Sequence, residues 1–193
     1  MKKTPRVLAL TWDANNHPIH SGEFHSGSEW VGAGEGVATV KLDGTACMVE
    51  GGQLLARFDA KKGKTPPSGF RPCQPEPDPI TGHFPGWVPV TDNPAFKHHV
   101  AAFERSKASG GLSDGTYELI GPHFQGNPYK IEEDRLERHG AIVVESSDRT
   151  FEGLRALVAS LQPAEGVVFH HPDGRMAKLT AEEFGLPWKA KRR

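Results

Sequence analysis

The stretch GVATVKLDGTACMVEGGQLLARFDA, residues 36–60, decides how the chain folds. It holds three short apolar or β-branched runs, 37–41, 46–50 and 54–58, bounded by glycines and polar residues. Runs this short and this rich in valine form strands rather than helices, so the segment predicts consecutive strands. Lys41 closes the first run, two residues ahead of Asp43 and three ahead of Gly44. A lone lysine at a strand end is usually a solvated charge on an apolar stem. Whether Lys41 is more than that depends on what else the chain carries.

Outward from this stretch, runs 7–11, 116–120 and 141–144 read as further strands. Two segments have helical character. In DNPAFKHHVAAFERSKASGG, residues 92–111, Asn93 is the cap, Pro94 enters the first turn, Phe96, Val100 and Phe103 share a face, and Gly110 stands near the end. In SDRTFEGLRALVASLQP, residues 147–163, Phe151, Leu154, Leu157, Val158 and Leu161 repeat at helical spacing until Pro163 stops them. Between them and the first strands lies a Pro/Gly-rich insert at about residues 65–90, which excludes regular helix and predicts a long ordered excursion. The end of the chain, EGVVFHHPDGRMAKLTAEEF, residues 165–184, predicts a hairpin around Pro-Asp-Gly followed by a capping box, Thr180 with Glu183. With Asp173 and Gly174 as the turn centre, Phe169 pairs with Lys178, and Glu165, Val167 and Phe169 share a face with Met176 and Lys178.

A length of 193 residues suits one domain with a sizeable core. The formal net charge of −1 excludes whole-surface attraction to nucleic acid or membrane, so an anionic partner must be gripped locally. Two basic clusters are available, Lys61, Lys62 and Lys64, and the tail Lys189, Lys191, Arg192 and Arg193; each alone reads as solvated charge. Cys47 and Cys73 are far apart and form no CxxC pair, which excludes a disulfide framework and suits a reducing cytoplasm. No signal peptide or segment of transmembrane length is expected. His17, His20 and His25 lie in a Gly/Ser-rich stretch that fixes no geometry, so they predict no metal site.

Lys41 in KLDG, Glu118 in YELIG, Glu165 in EGVV and Lys178 in AKL form an ordered set on expected strands. In this order they resemble the covalent nucleotidyltransferase superfamily, which contains the ATP-dependent DNA and RNA ligases and the mRNA capping guanylyltransferases. The fragments KLDGT, ARFD, GHFPGWVPV, ELIG, GNPY, GVVFHHPDG and FGLPW, spread from about residue 36 to 188, are similar to the vertebrate-type ATP-dependent 5′-to-3′ RNA ligase family.

The resemblance implies an α+β fold of the nucleotidyltransferase type, with antiparallel sheets and flanking helices. It implies one adenylation domain over residues 1–193, with no separate C-terminal domain. The implied activity joins RNA 5′-phosphate and 3′-hydroxyl ends through lysyl-AMP, with ATP and Mg2+ or Mn2+ as cofactors. Lys41 is then the nucleophile, which needs a free amine. Asp43 orients that amine, and Gly44 lets the backbone turn beside the nucleotide. Glu118 accepts from the ribose hydroxyls, Arg57 and Lys178 bind phosphates, and Glu165 holds the metal. Phe169 and Tyr129 are the rings on which adenine could stack. The superfamily usually has KxK in its last motif where this chain has only Lys178, so one phosphate contact is either missing or supplied by Lys61 or Lys62. A DNA ligase, a GTP-using capping enzyme and a non-catalytic nucleotide- or RNA-binding module are the alternatives.

Overall fold

The structure, a computed structural model, describes residues 4–12, 14, 18–91 and 93–186. His17 and the basic run 189–193 lie outside the described residues, as do Trp188 and the side chain of His20. In chain order the elements are β1 (Leu8–Trp12), β2 (Pro18–Phe24), α1 (Glu29–Gly32), β3 (Val37–Lys41), β4 (Thr45–Glu50) and β5 (Gln53–Ala60). There follow β6 (Arg71–Pro72), β7 (Phe84–Pro89), α2 (Lys97–Ala108), β8 (Gly115–Ile120), β9 (Arg135–Arg138) and β10 (Val143–Val144). The chain continues through α3 (Phe151–Ser160), β11 (Gly166–His170) and β12 (Met176–Thr180). The strands pair antiparallel, apart from one isolated parallel bridge between Arg6 and Lys178, so the class is α+β. No described helix is long and apolar enough to cross a membrane.

The chain forms two compact units. One comprises Thr4–Asp43 and the chain from Gly140 onward; the other is built on Gly44–His139.

In the first unit a four-stranded sheet runs β10-β3-β11-β12 beside the β1-β2 ribbon. Side chains alternate across it, so pairing fixes what each face carries. Ala38, Val167, Phe169, Ala177 and Leu179 are buried together with Leu154 and Val158 of α3. Thr39 pairs with Val168 and Val168 with Lys178, while Lys41 pairs with Gly166 and Gly166 with Thr180. Lys41 and Lys178 therefore stand on the face opposite α3.

This register corrects the sequence expectation by one residue. Phe169 pairs with Ala177, not Lys178. The His171 N–H bonds the Arg175 carbonyl at 2.9 Å, so the loop is the three residues Pro172, Asp173 and Gly174, with Gly174 at φ 91°. The longer loop places Val167, Phe169, Ala177 and Leu179 on the core side, and their burial outweighs the two-residue turn. Half of the expected capping box forms: the Glu183 carboxylate accepts the Thr180 N–H at 2.8 Å, while the single 3-10 turn that follows, Glu182–Phe184, has Ala181 at its N-cap and no side-chain cap.

In the second unit a six-stranded sheet runs β6-β7-β5-β4-β8-β9. Cys47, Val49, Leu54, Tyr117 and Leu119 are buried with Ala102 and Phe103 of α2. Asn93 accepts the Ala95 N–H at 3.0 Å and starts the 3-10 turn that leads into α2, the capping that its sequence predicts. The proline-rich insert is more regular than its composition implies. Its last residues form β7, which pairs with β5 from Phe84↔Ala60 to Pro89↔Leu55. Gly86 makes this possible, because a Cβ there would lie 2.3 Å from the Phe70 ring and 2.5 Å from the Arg71 carbonyl oxygen.

Candidate functional site

The first unit brings three of the four motif residues together. Lys41, at the end of β3, donates from Nζ to Oε2 of Glu165, the residue that precedes β11. The backbone locks the pair: the Glu165 N–H bonds the Lys41 carbonyl at 3.0 Å, and the Ala181 N–H bonds the Glu165 carbonyl at 2.8 Å. Both side chains are largely enclosed, 23% exposed for Lys41 and 18% for Glu165. Glu165 also lines a cavity of about 280 Å³ with Lys178, Thr180, Arg6, Glu182 and Glu183. Lys178 is held there from the sheet edge, where its N–H bonds the Pro5 carbonyl and its own carbonyl accepts the Val7 N–H, each at 2.9 Å. Arg6 enters the cavity wall through this pairing and forms an ion pair with Glu183.

The motif itself spans the change of unit, since the chain passes from one to the other between Asp43 and Gly44. Asp43 is buried at 7% exposure. In the second unit the Gly44 N–H donates to Oε1 of Glu118 at 2.9 Å, and His139 Nε2 lies 2.8 Å from Oε2. Glu118 thus holds the motif backbone while keeping one further lone pair on each oxygen. Only glycine fits at 44, because a Cβ would sit 2.3 Å from the Leu119 carbonyl oxygen. Glu118 is also felt by Cys47, whose thiol is pushed up chiefly by burial and secondarily by that carboxylate. Cys47 is accordingly an inert core thiol.

Arg57 belongs to the same sheet. Its guanidinium donates to Cys73 Sγ at 3.3 Å and stacks over Trp87 at 5.3 Å. It lines a second cavity of about 280 Å³ with Asp59, Gln74, Asp78, Thr81 and His83. Asp59 pairs with His83. Lys61, Lys62 and Lys64 are exposed, and Tyr129 is half-buried between β8 and β9.

Phe169 is the one expected site residue that the structure removes. It is fully enclosed, it lies on the face opposite Lys178, and the Arg149 guanidinium covers its ring at 4.5 Å. The adenine-stacking expectation fails because the one-residue difference in register turns this ring into the core. Arg6, His139 and Glu183 were not legible as site residues. Nothing in the spacing of Arg6 and His139 marks them, and the spacing of Glu183 marks only a helix cap; the contacts of Arg6 with Glu183 and of His139 with Glu118 are tertiary.

No protein-family model matches the chain. It is 28% identical to RNA ligase 1 of Rattus norvegicus over 231 aligned positions, which cover 79% of this chain and 68% of that protein. It is 26% identical to RNA ligase 1 of Danio rerio over 221 positions, covering 78% and 68% respectively. With RNA ligase 1 of Pongo abelii it shares 28% identity over 153 positions, 59% of this chain and 44% of that protein. The resemblance carried by the ordered fragments is thus a distant relationship to proteins named RNA ligase 1.

Proposed function

We propose that the chain is an ATP-dependent RNA ligase with a nucleotidyltransferase fold, which joins 5′-phosphate and 3′-hydroxyl ends through lysyl-AMP. The observation that carries this reading is the convergence of Lys41, Glu165 and Lys178 in one unit, with Glu165 and Lys178 on one cavity wall. Binding alone needs no nucleophile, and a solvated strand lysine needs no enclosed carboxylate partner.

In the first step Nζ of Lys41 attacks the α-phosphorus of ATP. A P–N bond forms, the α–β phosphoanhydride breaks, pyrophosphate leaves and the amine gives up a proton to solvent. In the second step an oxygen of the RNA 5′-phosphate attacks the same phosphorus, the P–N bond breaks and the lysine is regenerated. In the third, the 3′-hydroxyl attacks the activated 5′-phosphate, loses its proton and expels AMP. Lys178 is a fixed cation for the phosphate charge that develops in each transfer, and Arg57 with its planar fork suits a second phosphate contact. Glu118 holds Gly44 and offers its remaining lone pairs to ribose hydroxyls. Glu165 and Glu182 are hard oxygen donors on one cavity wall and fit Mg2+ or Mn2+, which when bound would supply further phosphate neutralisation. Residues 1–193 then act as one adenylation module, and its two free cysteines suit a cytoplasmic role in RNA repair.

The test incubates purified protein with Mg2+ and each α-labelled nucleoside triphosphate in turn. Label retained with ATP alone is the expected result. Label with GTP would identify capping chemistry, and no label with any of the four would identify a binding module. Sealing of matched RNA and DNA strands then separates RNA ligase from DNA ligase.

A further inference from the structure

The sequence placed no metal among its histidines, yet the second unit assembles a different set. We propose that His98, His123 and Asp134 bind a divalent transition ion of the zinc class, which pins α2 to the connection between β8 and β9. This site is independent of the ligase reading. His98 comes from the first turn of α2, His123 from the loop after β8, and Asp134 from the entry to β9. Their donor atoms all lie within 4.8 Å of one another. His123 Nδ1 is 2.7 Å and His98 Nδ1 3.9 Å from the same oxygen, Oδ2 of Asp134. A tetrahedral ion with bonds of about 2.1 Å sets its ligand atoms roughly 3.4 Å apart, between those two separations.

The surroundings fix the carboxylate and the loop beside it. Asp134 is 7% exposed, and its Oδ1 accepts the His123 N–H at 3.2 Å, so the carboxylate is aimed by the loop that carries the second ligand. Its carbonyl accepts from Arg105 Nη1 at 2.7 Å, which ties it to the helix that carries the third. The loop is braced by Asn127, whose side chain accepts the Ile131 N–H at 3.1 Å and donates to the Ile131 carbonyl at 2.8 Å. Gly121, at φ 145°, leaves the space: a Cβ there would lie 2.4 Å from Asp134 Oδ1. Such fixing of ligand orientation by outer contacts is characteristic of metal sites.

The donor set selects the ion. Two imidazoles and one carboxylate suit Zn2+, Co2+ or Ni2+ and not Mg2+, which prefers oxygen alone. The two rings stack with centroids 3.5 Å apart and planes at 16°, so their lone pairs lie in two nearly parallel planes that no single ion can share. Binding therefore requires one ring to turn. His123, 50% exposed, is the ring free to do so, and its bond to Asp134 is exchanged for the bond to the ion.

Purified full-length chain in Mg2+ buffer is titrated with Co2+ and followed by visible d–d absorption, then with Zn2+ and followed by Tm. The expected result is one equivalent of Co2+ giving the strong bands of a four- or five-coordinate site, which Zn2+ bleaches. Zn2+ at about a hundredfold excess over its Kd should raise Tm by about 5 °C or more. His98→Gln and His123→Gln should each weaken Co2+ binding by on the order of tenfold or more, with metal-free Tm near wild type because both side chains reach solvent. Asp134→Asn should weaken it as well; the two histidine variants decide the matter if that buried substitution unfolds the unit. Absence of the bands overturns the proposal, and so do bands and a Tm rise that survive both histidine variants.

Discussion

Each unit lays a helix on one face of an antiparallel sheet, and the two use the opposite face differently: in the six-stranded sheet it also buries Leu55, Trp87 and Ile120. In the four-stranded sheet it carries Lys41 and Lys178, with Glu165 at the strand entry, so opposite charges meet beside a cavity. In the six-stranded sheet the corresponding groups are occupied with the protein itself. Glu118 spans Gly44 and His139, and Arg57 lies against Cys73 and Trp87. One face gathers ionisable side chains beside a cavity; the other orients backbone and rings. Residue type alone does not distinguish these uses, because a glutamate on a strand serves in both.

The sharpest way to break this contrast is at Lys41. Lys41→Met should lower protein labelling by ATP by more than about 10³-fold, while sealing of RNA that already carries a 5′-adenylate survives. Lys178→Met should impair labelling and sealing together, each by about two orders of magnitude, since phosphate charge develops in both. Normal labelling of the Lys41 variant would return that residue to a solvated lysine and dissolve the distinction between the faces.

A smaller effect separates the core face of the first sheet from its polar face. Phe169→Ala should cost about 3–5 kcal/mol in urea unfolding, because an enclosed ring leaves a cavity. ATP affinity measured on the folded fraction should not change. A weaker affinity there would restore the ring to the nucleotide.

In the second unit, Glu118→Ala leaves the Gly44 N–H unpaired, at a cost of about 1–3 kcal/mol in unfolding. Labelling should fall mainly through a raised KM for ATP and recover at high ATP. Glu118→Gln, which keeps an acceptor for Gly44, should recover most of the stability. A kcat defect without a KM change would make Glu118 a reacting group after all.

The smallest effect concerns Asp173 in the hairpin loop. Bonding from the Arg175 N–H first, and from the Arg175 and His171 side chains, holds its carboxyl down at about 2 from an ordinary 3.8. A folded-state pKa below the unfolded one stabilises the native state above 3.8, and that gain is lost as pH falls through about 2. Asp173→Asn should therefore lower the urea midpoint slightly at pH 7, with the gap narrowing below pH 3.8. A gap of constant size across that range would show that the ionised carboxylate is not what matters.

Much of the fold was legible because it is written in local terms. β3 begins and ends where its valine-rich run does, and β4, β5 and β8 extend their runs by one to three residues. The cap at Asn93 starts the 3-10 turn that leads into α2 as its side chain predicts, whereas the Thr150 cap of α3 is found only in the structure. Less was legible where pairing partners lie far apart in the chain. β7 hides within a proline-rich segment because its strand character comes from β5 alongside it, not from propensity. The hairpin of β11 and β12 was found, but its register was settled by the fully enclosed Val167, Phe169, Ala177 and Leu179.

The sequence by itself determined most strands, the two longer helices and the terminal hairpin, because strand period and capping chemistry are properties of neighbouring residues. The order of its motifs singled out Lys41, Glu118, Glu165 and Lys178 and implied the α+β class by resemblance. Only the tertiary structure decided which of them meet. Lys41 reaches Glu165 across 124 residues, and Glu118 reaches Gly44 across 74. His98 joins Asp134 only because α2 packs beside the entry to β9. Such contacts follow from sheet order and from which face of each element is buried. Both are set by the burial of the whole apolar surface at once, a quantity that no single stretch of sequence contains.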